Sequence, residues 1–125
     1  MESLKKTILV IDDEEPFRDF LTSLLTSQGF IVCSADNGIS GEQKVKKHNP
    51  DLIITDIVMP DKEGVEFIQC LRELDTTTPV IAVTGGNRVN AYSYLALSKK
   101  LGANAILAKP FSSADLLDTI KKLLA

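Results

Sequence analysis

The sequence predicts an α/β domain in which five parallel strands alternate with five helices. Two observations carry this. Five short runs, rich in β-branched residues, are apolar throughout rather than alternating: "TILVI" (7–11), "FIVCS" (30–34), "LIIT" (52–55), "VIAVT" (80–84) and "AILA" (105–108). Continuous apolarity marks strands covered on both faces, as parallel strands are. The segments between the runs carry a helical period instead. Strand–helix alternation leads to a parallel sheet with right-handed crossovers. Since no strand has a polar side, helices must cover both faces, which gives a doubly wound three-layer sandwich.

Each helix has its own signals. After the first run, Phe17, Phe20, Leu21, Leu24 and Leu25 recur at i, i+3, i+4, i+7 and i+8, and Gly29 supplies a stop. The second helical segment, Gly38 to His48, has only Ile39 and Val45 as apolar anchors and is the weakest of the five. Val65, Ile68, Leu71 and Arg72 follow the loop glycine Gly64 and predict a shorter third helix. Tyr94, Leu95, Leu97 and Leu101 precede Gly102 and predict a fourth. The last opens at Ser112 with Asp115 three residues on, a capping-box-like start, and runs through Leu116, Leu117, Ile120, Leu123 and Leu124.

The totals narrow the function classes. One domain over residues 1–125 suits the length, and 44% hydrophobic with 25% charged residues is the balance of a soluble globular chain. A net charge of −3 provides no basic stripe for nucleic acid. No apolar run reaches the roughly 20 residues needed to cross a bilayer, and "MESLKKTILV" is too short in its apolar part for a secretory signal. Cys33 and Cys70 are far apart and flanked by apolar residues, which reads as buried thiols in a reducing, cytoplasmic setting. His48 and the cluster Lys44, Lys46 and Lys47 read as solvated surface.

Ligands of doubly wound sheets bind outside the carboxyl ends of the strands. There the sequence places Asp12 and Asp13 after the first run, Asp56 after the third, Thr84 at the end of the fourth and Lys109 at the end of the fifth. Carboxylates with no His or Cys nearby suit a hard cation, Mg²⁺ or Mn²⁺. Thr84 and Lys109 complete a cradle for phosphate oxygens, and Asp56 is placed to attack phosphorus as a carboxylate nucleophile. Each residue also has a plainer reading. Asp13, Glu14 and Glu15 stand where helix caps stand, and Asp56 and Lys109 where turn residues do. One phosphoryl-transfer site explains them together.

"VIDDE" (10–14), "DIVMPDKEG" (56–64), "AVTG" (82–85) and "LGANAILAKPF" (101–111) resemble the receiver domains of two-component response regulators over nearly the whole chain. The resemblance implies a flavodoxin-like strand order of 2-1-3-4-5. It further implies that Asp56 is the phosphoacceptor, supplied by a sensor histidine kinase or a histidine phosphotransfer protein. Asp12, Asp13, Asp56 and the backbone carbonyl of Val58 would hold the metal. Thr84 and Lys109 would bind phosphoryl oxygens, with Lys109 paired to Asp56 beforehand and Lys109-Pro110 cis. Such a protein catalyses only its own phosphorylation and dephosphorylation, and signals to a downstream protein target.

The chain departs from the family pattern in two places. Ile106 stands where a switching Tyr or Phe is usual, with Tyr92 and Tyr94 as candidate substitutes, and "TGGN" opens a longer stretch between Thr84 and Lys109. The end at Ala125 and the start at Met1 favour a stand-alone regulator over a fragment of a larger DNA-binding one. A Mg²⁺-dependent aspartyl-phosphate hydrolase is the competing reading; Val58 argues against it, because a hydrolase needs a carboxylate there for acid–base work. Neither G-x-x-x-x-G-K-[ST] nor G-x-G-x-x-G occurs.

Overall fold

A computed structural model describes residues 5–57, 64–74, 77–85, 100 and 102–125. Five strands form one parallel sheet: β1 (Thr7–Ile11), β2 (Ile31–Ala35), β3 (Leu52–Asp56), β4 (Val80–Gly85) and β5 (Ala105–Lys109), in the order β2-β1-β3-β4-β5. Among the described residues the helices are α1 (Glu15–Ser27), α2 (Gly38–His48), α3 (Gly64–Leu74) and α4 (Ser113–Leu124). Apart from Lys100, which is helical, the helix expected around Tyr94 to Leu101, and with it Tyr92 and the "GN" of the "TGGN" stretch, lies outside the described residues.

The strands are apolar throughout because the core lies on both sides of them. Successive strand side chains point to opposite faces, and β1 shows it: Ile8 and Val10 pack with Leu21 and Leu25 of α1 and Leu116 and Ile120 of α4. Leu9 and Ile11 turn the other way, towards Phe67, Ile68 and Leu71 of α3 and Val45 of α2.

Helix ends follow local chemistry. Ser112 accepts the backbone N–H of Asp115 at 3.0 Å and opens α4. Asn37 accepts the N–H of Ser40 at 2.8 Å and opens α2. Gly29, at φ +93°, releases the chain after α1.

Two expectations about helix faces do not hold. Ile39 is 52% exposed and anchors nothing, and Phe20 is 49% exposed. The second helix instead seats itself through small residues, with Gly38 and Gly41 buried. A Cβ built on Gly41 would lie 2.6 Å from Ile11 Cδ1 and 3.3 Å from Phe67 Cε1, so any side chain here would force Ile11 to shift for α2 to come this close. Cys33 and Cys70 are half-buried rather than sealed in the core.

The far end of the sheet is tied by polar groups. Arg72 of α3 donates to the carbonyl of Gly102 at 2.9 and 3.1 Å and to Asn104 Oδ1 at 3.0 Å. The same Asn104 oxygen accepts the Val80 N–H at 2.9 Å, joining α3 to the starts of β4 and β5.

Candidate functional site

The strand order sets β1 beside β3, so the residues ending these strands meet. Asp56 is the last residue of β3, and Asp12 directly follows β1; both side chains are 1% exposed. Asp13 is exposed at the rim. One carboxylate oxygen from each of Asp12, Asp13 and Asp56 lies within 4.8 Å of the other two. Burying such charges is costly without a counter-ion, and Lys109 supplies one. It ends β5, opposite Gly85 of β4, and its side chain reaches past that strand to β3 and β1.

Lys109 Nζ lies 2.8 Å from Asp12 Oδ2, 3.0 Å from Glu14 Oε1 and 3.4 Å from Asp56 Oδ2. The expected pair with Asp56 is therefore present but is the longest of three. The other Asp12 oxygen accepts the Glu14 N–H at 2.9 Å, and Arg18 Nη1 donates to the Asp12 carbonyl at 2.7 Å. The ammonium also sits 3.9 Å from the centroid of the Phe17 ring. That ring meets Phe111 edge-on, with centroids 5.8 Å apart and an 85° interplanar angle. The Lys109-Pro110 peptide is cis.

The electrostatics follow from burial and charge together. Burial pushes the Asp12 carboxyl above its ordinary value, and the hydrogen bond and charge of Lys109 only partly offset this. For Lys109, burial works to lower the pKa, yet the bonds and charges of Asp12, Glu14 and Asp56 outweigh it and hold the ammonium above the usual lysine range.

Among the sequence-predicted site residues, the structure brings Asp12, Asp13, Asp56 and Lys109 to one place. Thr84 shares that end of the sheet through its backbone, in register with Ala108, but its side chain lies outside the described residues, as does Val58. Ile106 packs against the core cluster on the α2 and α3 side. Glu14 and Phe17 are the residues sequence reasoning passed over. Glu14 has the signature of a helix cap and does stand at the N-cap of α1, but its side chain makes no capping bond. Phe17 has the signature of the α1 apolar face, which it also serves.

The donor set fits a hard divalent cation: three carboxylates, no sulfur or nitrogen ligand, and two of the three buried. No helix among the described residues is long and apolar enough to cross a membrane.

Known proteins share this arrangement of fold and chain. The chain is 34% identical over 117 residues to the transcriptional regulatory protein CusR of Escherichia coli (strain K12), covering 94% of itself and 50% of that protein. It thus spans about half the length of that relative. It is 30% identical over 121 residues to the chemotaxis protein CheY of Halobacterium salinarum, covering 97% of itself and 98% of that protein. The crystal structure of a CheY-like response regulator receiver domain protein from Methanospirillum hungatei JF-1 superposes with a TM-score of 0.89 at 30% identity, over 97% of this chain and 94% of that one. The response regulator receiver domain family matches residues 8–121. With its sheet order, its acidic pocket and these relatives in agreement, the chain belongs to the response regulator receiver domains of two-component signalling.

Proposed function

We propose that the chain accepts a phosphoryl group on Asp56 from a phosphohistidine of a sensor histidine kinase or a histidine phosphotransfer protein. The observation that carries this is a buried carboxylate ending a central strand, within 4.8 Å of two others and 3.4 Å from a lysine. Asp12, Asp13 and Asp56 would hold Mg²⁺ or Mn²⁺, with the backbone carbonyl of Val58 as a fourth ligand. Bound there, the cation supplies positive charge for the transferring phosphoryl oxygens.

The chain's own residues do the rest. β3 presents Asp56, buried at its carboxyl end, as the nucleophile that would attack phosphorus. Lys109 is already in the pocket and would offer a donor for a phosphoryl oxygen, with the Thr84 hydroxyl as the second we propose. Little covalent work is asked of the protein, since a loose transition state is served mainly by positioning and charge. Turnover is limited to its own phosphorylation and the later loss of the acyl phosphate to water. The phosphorylated face is then read by a downstream protein. We assign residues 1–125 to a single receiver unit and infer a cytoplasmic setting, in keeping with two unpaired cysteines.

The test is intact-mass measurement after incubation with acetyl phosphate and Mg²⁺. One added phosphoryl group, labile at alkaline pH and missing in Asp56→Asn, is expected. An unchanged mass with acetyl phosphate, phosphoramidate and a phosphorylated kinase alike would end the reading.

A further inference from the structure

We propose that Glu14, working with Phe17, is a positioning residue that holds the Lys109 ammonium at the mouth of the acidic pocket while the pocket is in use. The inference rests on the phosphoryl-acceptor reading above. An ammonium has three N–H donors, and Lys109 Nζ faces three carboxylate oxygens, of Asp12 at 2.8 Å, Glu14 at 3.0 Å and Asp56 at 3.4 Å. Its remaining side faces the Phe17 ring at 3.9 Å.

These neighbours have different fates. Asp12 belongs to the carboxylate group that fits a divalent cation. An Asp12 oxygen that held a divalent cation would be a poorer partner for the ammonium, since the two positive charges repel. Asp56 gives up its negative carboxylate when it becomes an acyl phosphate. Glu14 takes part in neither event, and its side chain is 57% exposed, outside the buried floor. Glu14 and the Phe17 ring are thus the described partners of Lys109 that neither cation binding nor phosphorylation would engage directly.

The seat they form is braced. Phe17 meets Phe111 edge-on at 5.8 Å, and Phe111 stands two positions beyond Lys109 on the same chain segment. Glu14 itself adopts extended backbone, φ −90° and ψ 107°, and its side chain makes no capping hydrogen bond. Its carboxylate reaches the lysine instead. A lysine already held near the phosphoryl oxygens needs less ordering in the transition state.

Wild type, Glu14→Gln, Lys109→Met and the double variant test this. Glu14→Gln keeps the shape and removes the charge. Uptake of phosphoryl from acetyl phosphate at saturating Mg²⁺ should slow about three- to fivefold in Glu14→Gln, the scale of one partly exposed ion pair. No further slowing is expected when Glu14→Gln is added to Lys109→Met, because a positioning residue acts through the lysine alone. A readout without turnover accompanies it: urea midpoints of the four proteins in Mg²⁺ should show Glu14 and Lys109 coupled. If Lys109→Met does not fold, Lys109→Gln replaces it in both cycles. Equal slowing in both backgrounds, or independent effects on the midpoints, would overturn the proposal. If wild type takes up no phosphoryl group, the phosphoryl-acceptor reading is what fails, and the midpoints in Mg²⁺ still decide the role of Glu14.

Discussion

Replacing Lys109 by Met removes the ammonium that two buried carboxylates share, and the structure sets the size of the penalty. At 2.8 Å from Asp12 and 3.4 Å from Asp56, the attractions come to about 6 and about 5 kcal/mol at an effective dielectric near 20. The pair with Glu14, more than half exposed, adds at most about 1 kcal/mol. Against these stands the cost of burying the ammonium, several kcal/mol. A ceiling also applies, because a strained carboxylate can take up a proton. From the ordinary value of 3.8 for Asp12, protonation at pH 7 costs about 4 kcal/mol. The variant should therefore lose about 2–4 kcal/mol at pH 7 without metal, read from urea unfolding followed by circular dichroism.

The pH dependence follows from the shifts. The Asp12 carboxyl is already raised by burial, and without the hydrogen bond and charge of Lys109 it rises further, with only the Glu14 N–H left to lower it. A group with a raised folded pKa stabilises the fold below its unfolded value, and that contribution is lost as pH climbs through the folded value. The gap between variant and wild type should thus be small below about pH 4 and widen towards neutrality. Lys109 itself, raised above 10.5, keeps its contribution in wild type until the pH exceeds that value. Saturating Mg²⁺ should narrow the gap by supplying the missing positive charge, and a chelator should reopen it. A loss within about 0.5 kcal/mol, or one that is flat from pH 4 to 7, would refute the shared-counter-ion account.

Two further outcomes concern the frame around the pocket. Gly41→Ala should cost about 1–3 kcal/mol by overpacking Ile11, and Ile11→Val in the same chain should recover part of it, both read as urea midpoints. Ser112→Ala should cost about 1 kcal/mol by losing the α4 cap, with thermal unfolding as the measure and no change in Mg²⁺ affinity.

The strands were legible in the sequence because burial on both faces leaves an unbroken apolar run, and Asp56 stood out for interrupting one. The residues at the strand ends were legible too, since Asp12, Asp13 and Lys109 fall where a parallel sheet gathers its ligands. The second helix was read through the wrong residues. Apolar periodicity registers side chains that fill space, whereas α2 approaches the sheet because Gly41 leaves space empty. Glu14 was hidden for another reason. An acidic residue before a helix has the same local pattern whether it caps the helix or, as here, reaches a lysine 95 positions away. Only the strand order decides between the two.

That order has a consequence for how the chain is assembled and maintained. The pocket exists only when the ends of three strands are in place, with partners 53 and 97 positions apart in sequence. Aligning β1 with β3 brings like charges together, and the local Glu14 N–H on Asp12 brings no opposite charge to offset them. Relief arrives with β5, the last strand to be synthesised. The two halves of the sheet are therefore bound by charge as well as by pairing, and a chain that lacks its C-terminal strand should be poorly committed to the fold. Affinity for a divalent cation then doubles as a report on the pairing of β1 with β3, whose ends carry the three carboxylates.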